Sequence, residues 1–367
     1  MKKALLVVFF LLLSIPVLAA DREDVAPTHI FTAILSDDID VTTIEGNVQI
    51  LHNGQPWQVK LSAKQKTITI KPLTPYAPGA YEAVFSEAIK STSGKSLEPK
   101  TYSFTVTDKP LPTYESDYDF SWQAPGDYQN FYLEGKRGSE LVAGYTMTAE
   151  KTFDLPLTVN LKKSDVLAHY GEPLAAITKG NVRYQLNDTD RVLTYLTDGR
   201  YVSYIIDVHD GNRIRAILWV REDVEQAKQG FYRTPSATYA KDASKLMLEL
   251  VNAARVQQGL QPVMWHDELA QIALWHSADM AKHNYFSHTN LNGEAPHDRI
   301  KRGGLTPRMS GENISYGYAN SILSHEGLMD SKGHRDNILR PEYTHLGIGT
   351  AFNDEQAPYI TQNFMRP

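Results

Sequence analysis

The sequence predicts three folded modules in series: an all-β sandwich, an α+β module and an α/β sandwich. Three observations carry that expectation. As far as about residue 107, short runs alternating apolar and polar residues recur between turn signals, a pattern of strands rather than helices. From there to about residue 235, one helical run precedes a series of strand-like runs. From Ala243 onward the apolar residues fall at helical spacing, and two strand-like runs close the chain. A length of 367 residues gives each module the size of an ordinary domain.

Residues 1–20 read as an export leader. Lys2 and Lys3 form its basic start, Ala4 to Val17 its apolar stretch, and Val17-Leu18-Ala19-Ala20 supplies small residues for a peptidase. The stretch is short for a spanning helix, and Asp21-Arg22-Glu23-Asp24 follows at once. No later run is apolar enough to cross a bilayer, so the expected product is soluble and extracytoplasmic, in a periplasm, at a cell surface or in the medium. The formal net charge of -6 is the wrong sign for a general nucleic-acid binder. There is no cysteine, which removes disulfides, thiolate metal sites and a lipid-modified N-terminal cysteine. Each module must therefore hold together by burial alone.

The sandwich is expected over residues 21–108. Its clearest strands are Thr67-Ile68-Thr69-Ile70 and Tyr102-Ser103-Phe104-Thr105-Val106, with turns at Asn53-Gly54, Pro78-Gly79 and Ser93-Gly94. Asp108-Lys109-Pro110-Leu111-Pro112-Thr113 is stiff by composition, so residues 109–113 read as a linker. The α+β module covers 114–235. Leu161 to Tyr170 reads as a helix ended by Gly171-Glu172-Pro173, and four strands follow. The clearest two, Tyr201 to Val208 and Arg213 to Val220, join through Asp210-Gly211, a strong hairpin signal. Residues 236–367 form the last module. Leu246, Met247, Leu250, Val251 and Ala254 share one helical stripe, ended at Gly259. A second helix starts near Asp267-Glu268 and carries Leu269, Ile272, Ala273, His276 and Met280 on one face. His345 to Phe352 and Tyr359 to Met365 flank Asn353-Asp354-Glu355-Gln356 as an antiparallel hairpin.

Several strings carry family resemblances. Pro78-Gly79-Ala80-Tyr81 and Ser93-Gly94-Lys95-Ser96-Leu97, each before a strand, make the first module resemble the bacterial Ig-like domains of surface-layer and secreted proteins. That resemblance implies a spacer or a binding module. Tyr170-Gly171-Glu172-Pro173, with its place in the chain, makes 114–235 resemble the module that precedes CAP domains in some bacterial secreted proteins. In the last third, Asn252 and Arg255 fit an opening N-x-x-R. Ala278-Asp279-Met280-Ala281 with Tyr285-Phe286-Ser287-His288, then Gly311-Glu312-Asn313-Ile314, follow in order. Ser331-Lys332-Gly333-His334-Arg335-Asp336-Asn337-Ile338-Leu339 comes next, and Gly347-Ile348-Gly349 and Tyr359 to Phe364 close the series. Together these resemble a CAP domain, the SCP-like fold of the cysteine-rich secretory, antigen 5 and pathogenesis-related proteins. The resemblance implies a cleft lined by two histidines and two glutamates. His288, Glu312 and His334 take three of those places. The fourth holds Ser331, with Asp330 beside it and Glu326 a turn or more earlier.

The chemistry of such a cleft divides the functional expectations. Two neutral imidazoles, His288 and His334, can hold a divalent metal such as zinc, and a nearby carboxylate can orient an imidazole or take a proton from bound water. Without a metal, the same groups form a polar pocket for an anionic or hydroxylated ligand. No nucleophile accompanies them, since Ser331 is the only serine beside the site. The favoured expectation is an extracellular binding module for a small ligand, lipid, protein or cell-envelope component. The alternative is a zinc-dependent hydrolase or protease with Glu312 as the base. A blander possibility puts function in the N-terminal domains. Blander roles exist for each residue too: His288 as a helix C-terminal cap, Glu312 at a helix N-terminus, His334 as a helix-start residue, His276 as a core histidine. Asn313 and Asn337 are expected to hold loops, and Tyr316 and Tyr318 to rim the cleft. Ser324-His325-Glu326-Gly327-Leu328-Met329 starts like a zinc-protease motif, but Met329 stands where the second histidine belongs.

Overall fold

The computed structural model describes residues 22–25, 27, 31–35, 37–106, 111–124 and 128–367. The leader over 1–20 lies outside the described residues, as does the linker as far as Pro110. The chain divides into two compact units, residues 1–110 and 111–367.

The first unit is a β-sandwich. Its strands are β1 (Arg22–Val25), β2 (Phe31–Ile34), β3 (Val48–His52), β4 (Gln55–Trp57), β5 (Val59–Lys64), β6 (Thr67–Pro72), β7 (Gly79–Phe85) and β8 (Lys100–Val106). One sheet runs β1-β8-β7-β3-β4, with β1 parallel to β8; the other runs β2-β6-β5. Asn53 and Gly54, both at positive φ, turn β3 into β4, as the sequence predicts. Alternation puts Ile68 and Ile70 of β6, and Tyr81, Ala83 and Phe85 of β7, into the core. At its centre the Tyr81 and Phe104 rings stack.

In the second unit the linker ends earlier than expected, since Thr113 already opens β9 (Thr113–Glu115). β10 (Ser121–Gln123), β11 (Tyr132–Arg137) and β12 (Glu140–Thr146) precede α1 (Lys163–Tyr170), which Gly171 ends at positive φ. Five strands follow where four are expected: β13 (Ala176–Lys179), β14 (Val182–Gln185), β15 (Val192–Thr197), β16 (Arg200–Asp207) and β17 (Arg213–Arg221). The module is therefore not a helix followed by a sheet. One antiparallel sheet, in order β15-β16-β17-β12-β11-β10-β9, draws strands from both sides of α1, and β13 pairs β14 alone. Ile205 pairs Ala216 and Ile206 pairs Ile214, so Arg215 is the extra residue of a β-bulge. One sheet face packs with Val166 of α1; the opposite face, with Ile205, Leu218 and Val220, joins the core of the C-terminal module.

That module has α2 (Glu222–Ala227) before it and is built from α3 (Ala237–Gln257), β18 (Met264–Trp265), α4 (Asp267–His283), α5 (Pro296–Arg302), β19 (Met309–Tyr316), α6 (Ser321–Asp330), α7 (Lys332–Ile338), β20 (His345–Phe352) and β21 (Pro358–Arg366). The sheet order is β18-β20-β21-β19, with β20 and β21 the expected antiparallel hairpin. Ser236 caps α3 by accepting from Tyr239 N, and Asn284 ends α4 in the left-handed region. The predicted stripes on α3 and α4 are buried. Leu346 and Ile348 of β20 share the core with α3, so Gly347 and Gly349 turn to the other face, against α4. A Cβ on either glycine would collide with the backbone of α4, at Leu269–Ala270 and Ala273–Leu274. The helices thus cover opposite faces of the sheet. Arg255, fully buried, donates to the carbonyls of Gln261, Ile338, Arg340 and Tyr343, tying α3 to the turn after α7.

Candidate functional site

The edge strand β19 organises the site. Ile314 packs with Met280 and Ala281 of α4, so Glu312, two residues earlier, faces the same side. Glu312 is therefore a strand residue, not the start of a helix. Beyond α4 the chain turns at Asn284 and brings His288 over this strand. His288 does not cap α4: its Nδ1–H donates to Glu312 Oε1 at 2.9 Å. The other oxygen, Oε2, accepts from Nη2 of Arg299 on α5 at 2.6 Å, and Arg299 Nη1 donates to the carbonyls of His288 and Glu294. The Glu312 side chain is 1% exposed and that of Arg299 2%, while His288 is 48% exposed. Because the buried carboxylate accepts at both oxygens, the His288 proton sits on Nδ1, and Nε2 is left to the solvent side.

His334 approaches from the other side of β19. It is the third residue of α7, and its carbonyl accepts from Asn313 Nδ2 at 3.1 Å. Asn337 Nδ2 donates to Glu312 O and to Asn313 Oδ1, and Asn313 also donates to Gln362. The two asparagines thus hold α7 against β19, the loop-holding role the sequence suggests. Burial lowers the His334 pKa, and the nearby His288 lowers it further. The two imidazoles thus lie near enough for a charge on His288 to disfavour one on His334, while Glu312 bonds His288. His276 is buried on α4 with Nε2 on the carbonyl of Ser287, while Nδ1 has no hydrogen-bond partner. Burial lowers its pKa as well. The sequence reading misses Arg299, which sits beside Asp298, Lys301 and Arg302 in a short helix and looks like one more solvated charge.

Residues 248–364 match the family model of the cysteine-rich secretory protein family, CAP. This segment is a CAP domain. Residues 14–106 match the model of a bacterial Ig-like domain. Two proteins of Bacillus subtilis (strain 168) are similar to the chain. The uncharacterized membrane protein YlbC is 38% identical over 124 residues, 34% of each chain. The uncharacterized protein YkwD is 37% identical over 131 residues, 36% of this chain and 49% of its own. The chain thus spans between a third and a half of the length of these relatives. Among solved structures, an extracellular SCP-domain protein from Bacillus anthracis str. Ames gives a TM-score of 0.61 at 23% identity, over 70% of this chain and 89% of that one. A cysteine-rich secretory protein from Staphylococcus aureus subsp. aureus Mu50 gives 0.52 at 17%, over 71% and 88%. At these identities the likeness is one of fold. Among the described residues no helix is long and apolar enough to cross a membrane.

The acidic residues near the CAP domain's fourth position face away from the cleft. Glu326 is buried on α6, where Oε1 accepts from Tyr145 and Oε2 from Arg215 of the adjoining sheet. Asp330, one turn on, pairs with Arg191, and its carbonyl accepts from His209. Both acids therefore join the CAP domain to the module before it. Ser331 is exposed between α6 and α7. Tyr318 lines a different cavity, between those two modules, while the Tyr316 ring lies against Phe286 and Tyr359 on Glu312's side of β19.

Proposed function

We propose that the chain is an extracytoplasmic bacterial binding protein whose CAP domain engages a hydroxylated or anionic group of a cell-envelope component at His288 and His334. The carrying observation is the engagement of Glu312. With both oxygens occupied and its side chain 1% exposed, it positions His288 instead of drawing a proton from water in the cleft. His288 Nε2 then accepts from a ligand hydroxyl, or donates to an anion once protonated. Among the described residues neither imidazole is bonded to a serine or threonine hydroxyl, so a nucleophile–base pair for hydrolysis is lacking. Two imidazoles also fall short of the roughly three protein ligands of a catalytic zinc site. Among the described residues no group of three or more His, Asp or Glu is placed to hold a metal ion. The leader-like residues 1–20, the bacterial Ig-like domain and the extracellular B. anthracis protein of like fold support a place outside the cytoplasm.

Co-sedimentation of the full chain with purified cell-wall fragments tests this reading. His288→Ala and His334→Ala should each weaken retention about tenfold, the worth of one hydrogen bond to an uncharged or charged group. Retention equal to wild type in both variants overturns it, and retention on phospholipid vesicles alone reassigns the ligand to a lipid. Dialysis against zinc should leave no stoichiometric metal. One retained equivalent that His334→Ala abolishes would restore the hydrolase reading.

A further inference from the structure

A cavity of about 660 Å³ lies between the CAP domain and the sheet before it, lined by neither His288, Glu312 nor His334. Its volume falls within the ~300–1,000 Å³ of small-molecule sites. Strands β15, β16 and β17 form its floor, residues 184–188 one wall, and α6 with the loop over residues 316–320 the other. The walls are fastened to each other. Tyr232 Oη donates to Gly317 O at 2.9 Å, Lys228 pairs with Asp117, and Asn320 donates to the same carboxylate. The cavity is thus a built feature of the 111–367 unit and not a gap between loose parts.

Its lining narrows the chemistry of an occupant. Each charged pair that borders it is internally neutralised: Lys179 with Glu225, Lys228 with Asp117, Arg191 with Asp330, Arg215 with Glu326. No cation is left over for a phosphate or carboxylate. The lining is mixed: Ile177, Leu186, Ile205 and Leu218 stand beside these ion pairs and beside Thr194, Ser203 and Gln185. Of the lining rings, Phe231 is 43% exposed. Tyr318 lies over α6 at Gly327, where a Cβ would collide with its hydroxyl. The hydroxyls of Tyr184 and Tyr318 carry no hydrogen bond among the described residues, and Arg215 Nη1 and Asp330 Oδ1 have no hydrogen-bond partner there either. Arg215 Nη1 stands 3.6 Å from Asp207. An exposed ring beside unpaired hydroxyls, with every lining cation paired and Asp188 the one lining charge outside those pairs, matches a ligand that offers flat C–H faces and many hydroxyls.

We propose that this cavity binds a short uncharged oligosaccharide, whose ring faces lie on Phe231 and Tyr318 and whose hydroxyls meet Tyr318, Tyr184, Thr194 and Ser203. The site is independent of His288 and His334. Calorimetric titration of the full chain with the N-acetylglucosamine trimer, cellotriose and maltotriose tests it, with palmitate and glucose 6-phosphate as competing chemistries. At least one neutral trisaccharide should bind saturably. Ala319→Trp, which fills the cavity from a surface loop, should abolish that binding. Tyr318→Phe should weaken it about tenfold, the worth of one hydrogen bond. His334→Ala should leave it unchanged, which separates this site from the imidazole cleft. The proposal is overturned if no trisaccharide binds, if Ala319→Trp and Tyr318→Phe bind as wild type does, or if only palmitate or the phosphate binds.

Discussion

Glu312 and Arg299 form an ion pair with almost no solvent contact, so each neutralises a charge the interior could not otherwise hold. Glu312→Gln keeps the shape and leaves the guanidinium without its counter-charge. It should cost about 3 kcal/mol or more in urea unfolding, as broken buried pairs do. A loss below about 1 kcal/mol would mean the pair is far more hydrated than its burial implies. A second buried group sets the acid limit. His325 on α6 is fully buried with neither ring nitrogen bonded, and burial pushes its pKa down to about 4. The unfolded chain then binds the proton first as the pH drops. Stability should be intact above about pH 6.5 and fall by on the order of 3 kcal/mol towards pH 4. His325→Leu should flatten that fall in unfolding curves taken across the range; an unchanged slope would place the acid sensitivity elsewhere. At this scale the sequence singled out His288 and Glu312, which the structure brings into contact, because each sits in a short string with a fixed neighbour. Arg299 was not, because nothing local distinguishes an arginine that points inward from the charges beside it.

Helix α4 can lie close on the sheet because β20 offers it no side chains at Gly347 and Gly349. Gly349→Ala would drive a methyl into the backbone of Ala273 and Leu274, where neither partner can rotate away. The expected loss is about 3 kcal/mol or above, at the upper end of overpacking, read as a lowered urea midpoint. Gly333→Ala, which meets open space, is the matched control and should change little. The hairpin of β20 and β21 and the helices α3 and α4 could be read from the sequence because apolar period and length agree there. β19 was harder, since Glu312 after Gly311 also fits a helix N-terminus, and only pairing with β21 makes the segment a strand. The strands β9 and β10 escaped notice because they are three residues each and take their stability from neighbours.

Residues 111–367 are held as one body. Tyr114, Phe131 and Tyr145 lie in the same core as Leu246, Ile322 and Phe364, so the CAP domain and the sheet before it share one interior. Calorimetry of the 111–367 fragment should show one cooperative transition, whereas residues 236–367 alone should be poorly soluble, with half a core exposed. A soluble, independently melting 236–367 fragment would contradict the shared core. The sequence reading separated these modules because composition and period change near residue 235. What joins them, such as Tyr145 on Glu326 at a separation of 181 residues, leaves no local pattern. The joint also rests on one inserted residue. Without Arg215, strand β17 would run Ile214, Ala216, Ile217, Leu218 in strict alternation, each side chain keeping its present face. Loss of that single codon would thus regularise the ladder while deleting the hook that grips Glu326.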